Sequence, residues 1–263
     1  MGLTKKQYIE LHSHFFELRG EQGRDLCEIL DYDEYEDITT GQFAGPYMRV
    51  VSDAQAGVNE LLNWINHFAR TISDIEAWTQ VLNEIRDKDE RFSTLFEVVS
   101  PVAFMTMSFP AAIRGKLVFT SARAIRDLFN LKKSKGKVIF DHELSEKRLS
   151  QLALEVPEPS IKDPLGRFIS KLEQIDGDEF RQVTMNYRNR ANHQIAPNIE
   201  YGERLVFAPL SGKGFEGFSF GVEHAIRLCD LIEPLKQQHS ECCLVYKAFW
   251  DVVIAINRWT RMN

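Results

Sequence analysis

Hydrophobic positions along this chain recur mostly at helical spacing. Tyr8, Leu11, Phe15 and Leu18 predict a short first helix that ends before Gly20. From Ser52, an N-cap residue type, Val58, Leu61, Leu62, Ile65 and Phe68 form one stripe; from Ser73 the pattern repeats with Ile75, Trp78, Leu82 and Ile85, predicting two helices. A further helix is expected over much of 90–106, bent or broken at Pro101. Pro110 suits the start of another, whose face is Ile113, Leu117, Ala122, Ile125 and Leu128. It is expected to end in the basic loop KKSKGK at 132–137, with VIFD at 138–141 as a short strand. EVPEPSIKDP at 155–164 reads as a connector, and after it Phe168, Leu172 and Ile175 align on a helix interrupted near Gly177. The pattern resumes as a helix through Arg190 that stops by about Ile195, because Pro197 disfavours helical geometry at Ala196.

One segment alternates instead. RLVFAPL and FEGFSFGV flank the turn SGKG at 211–214, predicting a β-hairpin near 204–221, and two terminal helices are expected over 221–237 and 241–260. The fold class is therefore mainly α, a helical bundle with one β-hairpin, and nothing alternates as a βαβ fold would.

With 263 residues and 44% apolar content the chain can bury a large core. The apolar stretch 95–109 is interrupted by Pro101 and falls short of the roughly 20 residues that cross a bilayer, so no membrane partner is expected. The first residues lack the apolar core of a signal peptide, and the expectation is a cytoplasmic protein. Cys27, Cys229, Cys242 and Cys243 show no CxxC spacing and read as reduced thiols. A net charge of −6 argues against a surface coated in basic charge, but the charge is segregated. Residues 21–37 hold eight acids and one Arg, whereas 114–137 hold Arg114, Lys116, Arg123, Arg126, Lys132, Lys133, Lys135 and Lys137 against Asp127 alone; each block reads first as a solvated face or loop.

The residues with chemistry lie near 188–193. At about 100° per residue, Phe180, Val183, Tyr187 and Ala191 share one buried stripe, and Arg188, Asn189, Asn192 and His193 occupy one arc opposite it, joined by Arg181 two turns earlier. Such an arc would line a cleft or face a second subunit. A guanidinium can grip a phosphate with two hydrogen bonds, and an imidazole can move a proton near neutral pH. Together they suit cleavage of RNA with the ribose 2′-OH as nucleophile, His193 as general acid or base and Arg188 stabilising charge on the phosphate, without metal or other cofactor.

The string YRNRANH at 187–193 resembles the Arg, polar residue, three variable residues, His motif of the HEPN superfamily (higher eukaryotes and prokaryotes nucleotide-binding). That resemblance implies an all-helical domain over 110–263, interrupted here by the hairpin, and leaves 1–109 as a helical region of unassigned role. It implies a metal-independent endoribonuclease or RNA-binding factor of toxin–antitoxin or defence systems. It also implies a homodimer in which two motifs meet, with an antitoxin or other partner protein in some members. Arg188, Asn189 and His193 would be catalytic, with Arg181 and Asn192 contacting RNA.

A competing reading pairs Arg188 with a carboxylate and has His193 cap its own helix. The chain would then be a noncatalytic interaction module, antitoxin-like or a scaffold, using its acidic segment 21–37 against a basic surface. Other features point to no site. His12 and His14 are two apart in a helical context, which does not suit a shared metal. His142 and Glu143 lack the second His of HExxH, SGKG lacks the phosphate-loop pattern, and the four tryptophans fall on helix faces as core or interface residues.

Overall fold

A computed structural model describes residues 2–22, 27–33, 35, 45–132, 144–212 and 215–262. The fold is mainly α with one antiparallel hairpin. Helices α1 (Lys5–Gln22), α2 (Gly45–Glu84), α3 (Lys88–Thr94), α4 (Ser100–Lys132), α5 (Glu146–Glu155), α6 (Pro159–Leu172), α7 (Asp178–Val183) and α8 (Tyr187–His193) precede strands β1 (Glu203–Gly212) and β2 (Phe215–His224), and α9 (Leu228–Met262) follows them. The expected strand at 138–141, most of the basic loop, and His142 and Glu143 lie outside the described residues.

Several expected helices are fused. The two helices expected from Ser52 and Ser73 are the single α2, because no Gly or Pro separates them and buried Thr71 and Ile72 continue the apolar stripe. Pro101 does not end a helix. A π-helical turn, Leu95–Val99, precedes it, with the Ser100 N–H donating to the Leu95 carbonyl five residues back; the wider turn relieves the crowding a proline ring causes. Pro110 lies inside α4 rather than at its start. An interior proline costs about 3 kcal/mol, which is offset here by burial of Met107, Phe109, Ile113 and Leu117 around it. Pro101 therefore does not shorten the apolar stretch: Lys88–Asn130 is long and apolar enough by composition to cross a bilayer, with mean hydropathy 1.4 over its most apolar window, of which 44% is buried within the protein. Likewise α6 starts at Pro159 in the expected connector, and the expected terminal helices are replaced by β2 and the single α9.

The chain divides into two compact units that interleave along the sequence. One comprises 1–26, 71–108 and 178–236. In it α1 lies on the end of α2, with Phe15 stacked on Trp78 at 4.5 Å and His12 edge-on to the same ring at 5.2 Å. Arg19 pairs with Asp74 at 2.8 Å and His14 Nε2 lies 2.6 Å from Glu84, so both ends of the contact are pinned. This unit also contains α7, α8 and the hairpin.

The other unit comprises 27–70, 109–177 and 237–263. Asp53 pairs with Arg123, and Glu60 pairs with Lys116; the matched spacing of seven residues shows that α2 and α4 run antiparallel there. Between these pairs Gly57 faces Thr120 so closely that a β-carbon on Gly57 would collide with the threonine methyl. Arg114 donates to both carboxylate oxygens of Glu146 and, at 2.9 Å, to the Ile175 carbonyl, joining α4 to α5 and to the chain beyond α6. Arg114, Lys116, Arg123 and Arg126 are thus ion-paired side chains of α4, and the expectation of a solvated basic face is corrected for them. From the acidic segment, Glu28 pairs with Lys247 at 2.8 Å, and Asn66 clamps the Leu30 backbone with two hydrogen bonds of 2.9 Å.

Candidate functional site

The helix expected to run through Arg190 is broken. It stops at Val183 and restarts at Tyr187, and the turn between them has two successive residues with left-handed backbone, Met185 (φ 51°) and Asn186 (φ 53°). The Asn186 N–H donates to the Arg181 carbonyl at 2.6 Å and the Met185 N–H to the Gln182 carbonyl at 3.0 Å. This crossed pair of bonds is a Schellman helix end, which normally places glycine where Met185 stands. Methionine there carries strain of roughly 1–2 kcal/mol. Because of this break the stripe expected from Phe180 through Ala191 does not hold: Phe180 and Tyr187 are buried, but Val183 is 41% exposed.

Within α8 the angular reading stands by itself. Tyr187 is buried, its ring 5.9 Å from Phe104, while Arg188, Asn189, Asn192 and His193 are all exposed. Burial of the Tyr187 hydroxyl raises its pKa from the ordinary tyrosine value. Among the described residues no carboxylate pairs with Arg188 or His193, and His193 is the last residue of α8. Arg181 is exposed too, but it belongs to α7 and lies 3.8 Å from Asp178, so it shares the surface across a turn and not along one helix.

Sequence reasoning missed the residue that fixes this helix. Arg190 reaches β2 and donates to both oxygens of Glu223, at 2.8 and 2.9 Å, with both side chains mostly covered. The Arg190 hydrogen bonds hold the Glu223 carboxyl below its ordinary pKa against the opposing effect of burial, aided by the charges of Arg190 and Arg204. Arg204, directly across the ladder from Glu223, donates to the Ile195 carbonyl at 3.3 Å. The only sequence signal was positional: Arg190 falls at the border between the Tyr187 stripe and the polar arc, and Glu223 interrupts an apolar strand.

The hairpin is longer than expected, and its strands pair in register from Glu203↔His224 to Gly212↔Phe215. Ser211 and Gly212 therefore belong to β1, and Lys213 and Gly214 lie outside the described residues.

The remaining candidates are placed as follows. His12 lies among aromatic rings and His14 against Glu84, and among the described residues no three His, Cys, Asp or Glu side chains are grouped to hold a metal. Among the described residues no cysteine forms a disulfide, and Cys242 and Cys243 are buried. Trp78 and Trp259 are buried, whereas Trp64 is partly exposed with the Lys116 ammonium 5.3 Å from its ring. Comparison with known proteins finds no matching family model, no similar curated protein and no matching solved structure.

Proposed function

We propose that the exposed face of α8 contacts the phosphodiester backbone of RNA, and that the protein is a HEPN-like, metal-independent endoribonuclease acting in the cytoplasm in a toxin or defence setting. In this reading Arg188 holds the phosphate, Asn189 orients the pair, and His193 transfers the proton between the 2′-OH and the leaving 5′ oxygen. Asn192 and Arg181 extend the contact along the strand. The observation that supports it is a guanidinium and an imidazole, both exposed and without a carboxylate among the described residues. They stand on a short helix whose inner side is held by Tyr187 and by the Arg190–Glu223 pair.

The test is incubation of the protein with total cellular RNA in EDTA, beside Arg188→Ala and His193→Ala. The native protein should cleave and both variants should not. Equal degradation by all three, or none by the native protein, overturns the reading. A noncatalytic interaction module is the second reading, favoured by the exposed apolar residues of the hairpin. RNA binding without cleavage, insensitive to both substitutions, would not rescue the first.

A further inference from the structure

Where α2 and α4 run side by side, each presents a charge, a small central residue and a second charge. On α2 these are Asp53, Gly57 and Glu60, and on α4 they are Lys116, Thr120 and Arg123. The two ion pairs, Asp53 with Arg123 and Glu60 with Lys116, stand seven residues apart on either helix, roughly 10 Å along the axis. Between them lies a cavity of about 190 Å³, lined by all six residues, with the Phe119 ring and three alanines as its apolar wall. At about 30 Å³ per water the space takes roughly six water-sized groups.

The Thr120 hydroxyl separates this cavity from a packing gap. Thr79, Thr94, Thr106 and Thr184 each donate to the carbonyl four residues back in their own helix, the common partner of a helical threonine. Thr120 makes no such bond and has no hydrogen-bond partner among the described residues, although it is only 8% exposed. Its oxygen faces α2, 3.3 Å from the point that a Gly57 β-carbon would occupy. A covered hydroxyl without a partner lowers stability unless something in the cavity accepts from it. Arg123 has donors to spare as well: Nη2 donates to Asp53, and the buried Nε has no partner among the described residues.

Charge decides what fits. Lys116 and Arg123 are balanced by Asp53 and Glu60, so a simple anion meets two carboxylates and a simple cation meets two basic groups. A molecule carrying one charge of each sign leaves every side chain with an opposite partner. Its carboxylate accepts from Thr120 and Arg123, its ammonium sits against Glu60, and its carbon chain lies along the alanines and Phe119.

We propose that this cavity binds a small zwitterion, a free amino acid of about five to seven non-hydrogen atoms. The cavity belongs to the compact unit that does not contain α8, and the proposal does not require Arg188 or His193 to act on RNA.

Calorimetric titration of the full chain tests it, with glycine, L-alanine, L-serine and 4-aminobutyrate as probes. Sodium acetate and methylammonium chloride each supply one of the two charges, and glucose supplies neither. At least one amino acid should bind with a Kd below about 1 mM, and the three controls should bind about 10-fold more weakly or not at all. Thr120→Val keeps the shape against Gly57 and removes only the hydroxyl, so binding should weaken by about 10-fold while the helical circular dichroism stays the same. Ala56→Leu places a bulky side chain on an exposed lining position and should abolish binding in an equally folded protein. No heat with any of the four amino acids at about 10 mM overturns the proposal. So does binding of acetate, methylammonium or glucose as tight as that of the amino acids, or native affinity in either variant.

Discussion

Arg190 and Glu223 meet with the two terminal guanidinium nitrogens on the two carboxylate oxygens, 33 residues apart in sequence, and so join the helix of the candidate site to strand β2 of the hairpin. Cutting either partner leaves the other charge mostly covered and unpaired. Arg190→Ala or Glu223→Gln should each lower unfolding free energy by about 2 kcal/mol in urea titrations, and the double variant should lose less than the sum of the two. Since the Glu223 pKa is held below 4.5, its contribution is present above that pH and is lost as the pH falls through the lowered value.

Exposure separates chemistry from stability along α8. Arg188→Ala and His193→Ala should leave stability within about 0.5 kcal/mol, because neither side chain is covered. Tyr187→Ala, which removes a buried ring beside Phe104, should cost about 3 kcal/mol in the same titration. If Arg188→Ala destabilised the fold as strongly as Tyr187→Ala, Arg188 would be a structural residue and not a surface one.

The buried imidazole of His239 supplies a second pH response. Burial lowers its pKa to about 4 from 6.5, against a backbone hydrogen bond to Ile65 and the charge of Glu28, which both favour protonation. The unfolded chain therefore binds the extra proton first. Stability is full above pH 6.5 and declines as the pH falls from 6.5 towards 4, by about 3 kcal/mol. His239→Gln should flatten denaturation midpoints over that window. A native midpoint that does not move between pH 7 and pH 5 would show that the folded protein takes up the proton without strain.

Close approach of helices makes Gly57 a specific requirement. Gly57→Ala should destabilise by about 1–3 kcal/mol as its new methyl meets the Thr120 methyl. Adding Thr120→Ser, which deletes that methyl, should recover part of the loss. No recovery in the double variant would mean that the backbone, and not the threonine, sets the spacing.

The mainly helical class and the hairpin were legible in the sequence because they rest on periodicity, which local spacing records. Helix ends were not legible at Pro101, where a π-turn absorbs the proline, at Pro110, where burial of the surrounding residues offsets it, or at Ser73, where buried Thr71 and Ile72 carry the stripe through; at Pro159 the proline opens α6, a start hidden by the proline-rich stretch around it. On α8 the outward arc of Arg188, Asn189, Asn192 and His193 was readable from a wheel, since one turn of helix fixes it. The Arg190–Glu223 link was not, because it depends on where the hairpin folds back. Nor was the break at Met185, where a left-handed methionine has no sequence signature.

That break has an evolutionary consequence. Because the chain leaves helical geometry at 184–186 and restarts at Tyr187, the rotation of α8 is set from its own first residue and from its two anchors, Phe104 and Glu223. Insertions or deletions within α7 would slide Arg181 around its helix without turning Arg188 or His193. The exposed face of α8 is thereby insulated from length changes upstream, and the two neighbouring segments are free to drift at different rates.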